Sequence, residues 1–481
     1  MKYKIAQTAF LLILSAISLN LVSFGALQSS HVATTSGLIS YGQQTHVTVD
    51  STSVTSVNAL SLGFHLDGYD IRRFRDRPVL RELARDANFK LVRFFHHRLG
   101  DPCSSWNEAT QNGTWNWNQI DPLIERIFEI GAEPLICFGY YSPSTGHVTV
   151  PRGMATDNDG LPQPETWANY CVEWLRHFKA KGYPVRFFEI INEPYQLYFW
   201  KSKSKLERYV DFWTTVARAM RSENPNIFIS ADCTTVRHVL DYWIDDGDDL
   251  DFLGFHKYDS GRTTLSDEEL LSKAETYLLT DYGDNKYPSY PINEAREEWR
   301  VNRGKTLPIV LGESNICWRY NPTDPRIQQM LGAVWAALVV RTGIILDLDY
   351  ALYWNLAGKS GTGEDFGMIN GDNNEPYYTY YALHMIGSNL DVGDQLVEAT
   401  SSSEDIRALA WIHNEELNVL LICKVDTIQT FNLYGLTGQL NLTKIDNTIP
   451  STEPTVQTEV INAEEPLTMN GYTVALLQAP L

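Results

Sequence analysis

Two short runs in this 481-residue chain end an apolar stretch on a single carboxylate. Phe187-Phe188-Glu189-Ile190-Ile191-Asn192-Glu193-Pro194 delivers Glu193 where proline forces a turn, and Leu307-Pro308-Ile309-Val310-Leu311-Gly312 delivers Glu313. Two carboxylates presented side by side are what cleavage of a glycosidic bond requires: one acid protonates the leaving oxygen while the other carboxylate attacks the anomeric carbon. A lone glutamate at a strand end is more often a helix N-cap or a surface charge; two of them in matching contexts point to this chemistry.

These runs belong to a longer pattern. Strand candidates fall at 59–66, 90–97, 133–140, 185–192, 226–231, 251–258, 307–312 and 351–355, and segments of helical periodicity separate them at 78–87, 119–130, 166–179, 205–222, 236–244, 267–279 and 326–342. A helix over 378–388 completes the set. Parallel strands with helical crossovers close into a (β/α)₈ TIM barrel, whose functional residues project from the C-terminal strand ends. A doubly wound open sheet competes, but 62–68 lacks the Gly-rich phosphate loop that normally follows its first strand. Beyond residue 390 the period shortens to alternating strands at 406–413, 419–425 and 473–478, a smaller C-terminal β-sandwich. The expected organisation is a signal peptide over 1–26, an extended segment over 27–58 able to pair with the sandwich, the catalytic barrel over 59–390 and the sandwich over 391–481.

The order Asn192-Glu193-Pro194 on strand four and Glu313 on strand seven resembles clan A of the glycoside hydrolases, which are retaining enzymes. The resemblance implies Glu193 as acid/base and Glu313 as nucleophile. It extends to Arg93 on strand two, His256 and Tyr258 on strand six, and Trp354 on strand eight. Within the clan the chain is most similar to family 39, of the β-xylosidase and α-L-iduronidase type, which joins a barrel to a β-sandwich. Its Glu-Ile-Trp-Asn-Glu-Pro motif reads Glu189-Ile190-Ile191-Asn192-Glu193-Pro194 here, with Ile191 in place of the tryptophan. From the residues themselves, Arg93 or Tyr258 beside Glu313 would hold that carboxylate ionised, Asn192 could bond a sugar hydroxyl, and Trp354 could floor the pocket. Barrel packing is the competing role for each. Glu189 is expected to be structural, bonded inside the barrel.

The implied function is a secreted retaining glycoside hydrolase acting on β-linked oligo- or polysaccharides by double displacement, β-xylosidase-like in the first place. An endo-β-1,4-glucanase or mannanase would need an open cleft, and a non-catalytic carbohydrate-binding barrel would keep the cleft without turnover. The loops over 142–161 and 260–306 are expected to shape the subsites. No cofactor and no metal are expected. His96-His97 suggests an ion only superficially, because neighbours on a strand point to opposite faces; His97 is expected to contact sugar and His96 to pack outside the barrel. Asp245-Asp246-Gly247-Asp248-Asp249 lacks the ligand spacing of an EF-hand and reads as a solvated acidic loop.

A net charge of −20 disfavours nucleic acid and anionic membrane as partners and suits a neutral carbohydrate. Lys2 and Lys4 ahead of an apolar run over 9–19 form a secretory signal pattern. Secretion is therefore expected, with an uncleaved N-terminal membrane anchor as the alternative. Export would place the six cysteines where disulfides are permitted, and 15 pairings are possible. Asn112 and Asn441 sit in glycosylation sequons.

Overall fold

A computed structural model describes residues 45–142, 145–194, 203–235, 237–261, 265–276, 290–319, 323–359, 365–452 and 454–481. The expected signal peptide, Tyr195 and the centre of the 260–306 insertion lie outside these. Among the described residues the barrel strands are Ser61–Leu66, Leu91–Phe95, Glu133–Ser142, Phe187–Asn192, Phe228–Ser230, Leu253–Ser260, Ile309–Cys317 and Tyr350–Tyr353. They form a parallel sheet in the order six, seven, eight, one, two, three, four, five, so the seam lies between strands five and six. The Asp251 amide donates to the Ile229 carbonyl across that seam at 3.2 Å, and the Ser230 hydroxyl donates to the Phe252 carbonyl. These bonds close the TIM barrel.

Side chains alternate across each strand, and inside the barrel this sorts them by height. Leu91, Leu135, Phe187, Phe252, Val310 and Leu352 fill the base as one apolar cluster. Two residues further along, Arg93, Glu189 and Gly254 stand in the next tier, and the rim above carries Phe95, His256, Tyr258 and Trp354. A glycine within a strand leaves room for a neighbour. A Cβ on Gly312 would come within 3.3 Å of His256 Nε2, so the bare position spares that ring a tight contact.

The outer face follows the same alternation. Lys257 and Asp259, between the inward-facing residues of strand six, are buried against the helix Met330–Ile345. Lys257 Nζ donates to both Asp259 oxygens at 2.6 and 2.8 Å, and Trp335 Nε1 donates to Asp259 at 2.6 Å. Burial pushes the Lys257 ammonium down to about 8 in spite of Asp259. Met330–Ile345 is apolar around its circumference because it is covered on one side by the barrel and on the other by sandwich strands Glu416–Cys423 and Val474–Pro480.

The C-terminal sheet has the order Gln457–Asn462, Gln439–Ile445, Val474–Pro480, Glu416–Cys423, Ile406–His413, Gln395–Ser401, His46–Val57, Gln429–Tyr434, Leu467–Met469. His46–Val57 pairs antiparallel with Gln395–Ser401 and parallel with Gln429–Tyr434, so an N-terminal strand completes the C-terminal module.

Some elements differ from the sequence expectation. The helices Tyr69–Asp76 and Ile292–Arg303 and the hairpin Cys103–Asn107/Asn112–Trp115 were not foreseen. Their arginine-rich or polar sequences carry few apolar residues, although the few in Tyr69–Asp76, Ile71 and Phe74, do face the core. Strand two stops at Phe95, so His96 and His97 sit in the following turn with rings 5.0 Å apart. Their directions come from that turn and not from strand alternation. The acidic loop is braced: Asp248 accepts two bonds from Arg218, and Asp249 one from Arg303. All six cysteines are buried free thiols.

Removing one partner of a buried ion pair strands the other charge away from water. Asp259→Asn is therefore expected to destabilise the fold by about 3–5 kcal/mol, read in urea unfolding as a lower midpoint at unchanged slope.

Candidate active site

The central group of the site is Arg93, fully buried on strand two. Its Nε donates to Glu189 at 2.7 Å, one terminal nitrogen donates to Glu313 at 2.6 Å, and the other donates to Asn192 Oδ1 at 2.9 Å. Asp232 lies 3.4 Å from the same guanidinium. Three forked donors thus fix residues from strands four and seven in one plane, which a lysine ammonium could not reproduce. Glu189 is structural in this sense, as expected. Asn192 has its oxygen occupied, which leaves its amide nitrogen as the end able to donate to a ligand.

Glu313 and Asn192 each owe their direction to a local irregularity. Strand seven runs on to Cys317, so Glu313 lies within the strand and not at its end. The pairing with strand six slips there: Phe255 faces Leu311, but His256 faces Glu313, and Gly312 is passed over. Alternation from inward-facing Val310 would turn Glu313 outward, and this bulge turns it in. On strand four the correction is conformational. Ile191 has φ 65° and Glu193 φ 43°, which breaks the alternation and brings Asn192 and Glu193 to the pocket. A β-branched residue in the left-handed region is strained. The Glu193 amide donates to Asp232 at 2.8 Å, holding the turn, while Gly139 supplies the space: a Cβ there would lie 3.0 Å from Ile191 Cγ1. The isoleucine that departs from the expected tryptophan is thus seated on a glycine of strand three.

His256 stands between the glutamates. Its Nδ1 is 2.7 Å from Glu193 Oε1 and 3.5 Å from Glu313 Oε2, and its Nε2 is 3.1 Å from Asp232. Those two legs keep the facing oxygens of Glu193 and Glu313 inside the ~6.5 Å at which inverting pairs begin. Burial disfavours charge on the imidazole, yet Asp232, followed by Cys233 and Glu313, holds it well above its ordinary range. Tyr258 donates to the second oxygen of Glu313 at 2.6 Å. The expectation that Arg93 or Tyr258 would simply keep Glu313 ionised needs correcting. Burial pushes this carboxyl up to about 7; His256 and Arg93 pull against it, the Glu193 charge adds to it, and the Tyr258 hydrogen bond opposes it.

Aromatic rings wall the site. Trp354 lies just past strand eight, buried, with its ring 4.2 Å from His65 and 6.2 Å from Phe95. His97, half-buried, stacks 6.0 Å from Phe95 and lies tilted 6.1 Å from Tyr140; burial pushes its imidazole down to about 2, so it is neutral. His96 points the other way, among Trp167, Tyr170 and Trp174 of the helix Pro164–Lys181. The structure therefore brings Glu193, Glu313, Arg93, Asn192, His256, Tyr258 and Trp354 into one cluster, and joins His97 to it through Phe95 and Tyr140. Sequence reasoning missed His65 and Asp232. Both follow apolar strand residues near a C-terminal barrel end, the criterion that had singled out the glutamates.

The sequence pattern of Glycosyl hydrolases family 39 matches residues 64–354, well over half of the chain. This chain belongs to that family. It is 22% identical over 299 residues to a β-xylosidase of Geobacillus stearothermophilus, a match covering 55% of this chain and 54% of the relative, so it spans about half the length of that protein. Among solved structures it is similar in fold to an α-L-arabinofuranosidase of Thermotoga maritima (TM-score 0.65, 16% identity, 91% of this chain and 100% of that one). It is likewise similar to a monomeric β-xylosidase of Caulobacter crescentus (TM-score 0.63, 16% identity, 90% and 99%). The family match runs from Phe64 to Trp354, from the first barrel strand to the residue after the eighth, and so spans the whole polar cluster.

Gly139 has φ 109° as well as a crowded Cβ direction, whereas Gly131 has φ 77° with open space around it. Gly139→Ala is expected to lower stability by ~1–3 kcal/mol and by more than Gly131→Ala. Thermal melts of the two variants separate the steric contribution from backbone strain alone.

Proposed function

We propose that this chain is a retaining β-glycosidase of β-xylosidase type, with Glu193 as acid/base and Glu313 as nucleophile. The observation that carries the reading is His256 Nδ1, 2.7 Å from one carboxylate and 3.5 Å from the other. The sum of those two legs bounds the facing oxygens below the ~6.5 Å at which inverting pairs begin, which favours direct attack. Family membership and the β-xylosidase name of the Geobacillus relative support the substrate class.

In this mechanism the Glu193 carboxyl gives its proton to the glycosidic oxygen as Glu313 bonds to the anomeric carbon and the aglycone leaves. Glu193, now a carboxylate, then takes a proton from water, which attacks the same carbon and releases Glu313. Arg93 and Tyr258 hold one oxygen each of Glu313, so the nucleophile reaches the transition state without losing entropy of orientation. Asn192 offers its amide to a sugar hydroxyl, and Trp354 presents an apolar ring to the C–H face of the sugar. His97 and Tyr140 continue that wall.

We read export as accompanying this activity. Lys2, Lys4 and the apolar run over 9–19 support cleavage near Ala26, and N-terminal sequencing of the protein from both culture medium and membrane fraction checks it; a membrane-bound form starting at Met1 would favour the anchored alternative.

With an aryl β-D-xyloside, Glu193→Gln is expected to lose roughly 10²–10⁴-fold in turnover and Glu313→Gln still more, while proton NMR of the first product shows the β-anomer. An initial α-anomer would refute double displacement. Because Glu313 must be ionised to attack, kcat/KM is expected to fall as pH drops through about 7, where burial places its carboxyl, instead of near the ~4.3 of an ordinary glutamate.

A further inference from the structure

Cys233 takes no part in the chemistry above, yet it sits beside it. It follows Asp232 at the end of barrel strand five with φ 55°, and it is buried. Its Sγ, a carboxylate oxygen of Glu193 and a ring nitrogen of His256 all lie within 4.8 Å of one another. Thiolate, imidazole and carboxylate are the donor types that zinc accepts, and three protein ligands with one open position are a common arrangement for it. Bonds of ~2.0–2.3 Å in a tetrahedron put ligand atoms about 3.5 Å apart, so rotamer adjustments of about an ångström close the cluster on an ion.

Two further observations favour a cation here. Asp232 Oδ1 lies 3.1 Å from His256 Nε2, on the far side of the ring from Glu193. When Nδ1 is the ligand, this is the carboxylate–histidine–metal relay that orients an imidazole and makes it a stronger donor. The surroundings are also rich in negative charge: Glu313 is 3.5 Å from the same Nδ1, and Asp232 and Glu189 are both fully buried nearby. Arg93 and His256 are the cations that face these groups.

We propose that Glu193, Cys233 and His256 form an inhibitory binding site for a thiophilic divalent cation of the zinc class. On binding, the thiol and the imidazole release their protons to solvent and a water takes the fourth position. The Glu193 carboxylate becomes a ligand and can no longer shuttle a proton, a consequence that rests on the acid/base role proposed above. The ion is a reversible blocker and not a participant in turnover.

Titration of the resting full-length enzyme with zinc chloride, followed by calorimetry, is expected to show one equivalent bound. Cys233→Ser should weaken this at least tenfold, and magnesium should give no heat. Cobalt(II) added to the unmodified enzyme should produce a near-ultraviolet thiolate-to-metal band, whose absence would overturn the proposal whether or not the variant folds. Undiminished zinc binding by Cys233→Ser would overturn it as well. In turnover assays zinc should inhibit the parent enzyme at least tenfold more strongly than Cys233→Ser, each measured against its own metal-free rate. Zinc bound through Cys233 with unaltered turnover would overturn the inhibitory role and count separately against Glu193 as acid/base. Full activity of Glu193→Gln with the cobalt band intact in the parent would remove that acid/base role and leave the metal site standing.

Discussion

The buried guanidinium of Arg93 is the interaction on which the site depends. A charge fully removed from water survives only when its partners are close and well aimed, and Arg93 meets that demand with Glu189, Glu313 and Asn192 at 2.6 to 2.9 Å. The demand runs in both directions. Glu189 and Glu313 are equally unable to leave the cation, so strands two, four and seven are tied together through one side chain.

Around that cation the barrel interior changes character with height. Its base is an apolar plug, its middle tier is ionic, and its rim is aromatic. Gly312 leaves the ionic tier room, since a Cβ there would crowd His256 Nε2 at 3.3 Å. Burial then sets the electrostatics. Desolvation lifts the Glu313 carboxyl even with two donors attached, while at His256 desolvation is outweighed only by Asp232, Cys233 and Glu313 acting together, which hold the imidazole well above its ordinary range. Both groups are thus pushed the same way, toward holding a proton, the carboxyl by burial and the imidazole by the carboxylates around it.

The sandwich contributes from outside. Its strands cover the apolar helix Met330–Ile345, whose Trp335 caps the Lys257–Asp259 pair directly behind His256 and Tyr258. Arg407 and Lys424 of the sandwich both bond Glu275 at the end of barrel helix Asp267–Thr276. The back of strand six is therefore held by the second module, and its front carries the histidine between the glutamates.

Much of this was legible in the sequence. Apolar runs between amphipathic segments determined eight strands, their order and the barrel, because burial on both faces leaves a continuous hydrophobic signature. Carboxylates interrupting such runs marked Glu193 and Glu313, since a charge in an apolar strand needs a reason. Tertiary structure alone decided which way Glu313 and the neighbouring Asn192 point. Strict alternation from Val310 would send Glu313 away from the pocket, and alternation through Ile191 would do the same to Asn192. The bulge at Gly312 and the left-handed turn at Ile191 reverse both, and each depends on groups distant in sequence: the register with strand six, the bare Gly139 and the Asp232 carboxylate. Asp232 and Cys233 remained inconspicuous for the same reason, because the turn that follows the short strand Phe228–Ser230 gains its meaning only when the barrel closes and brings it against Glu193 and His256.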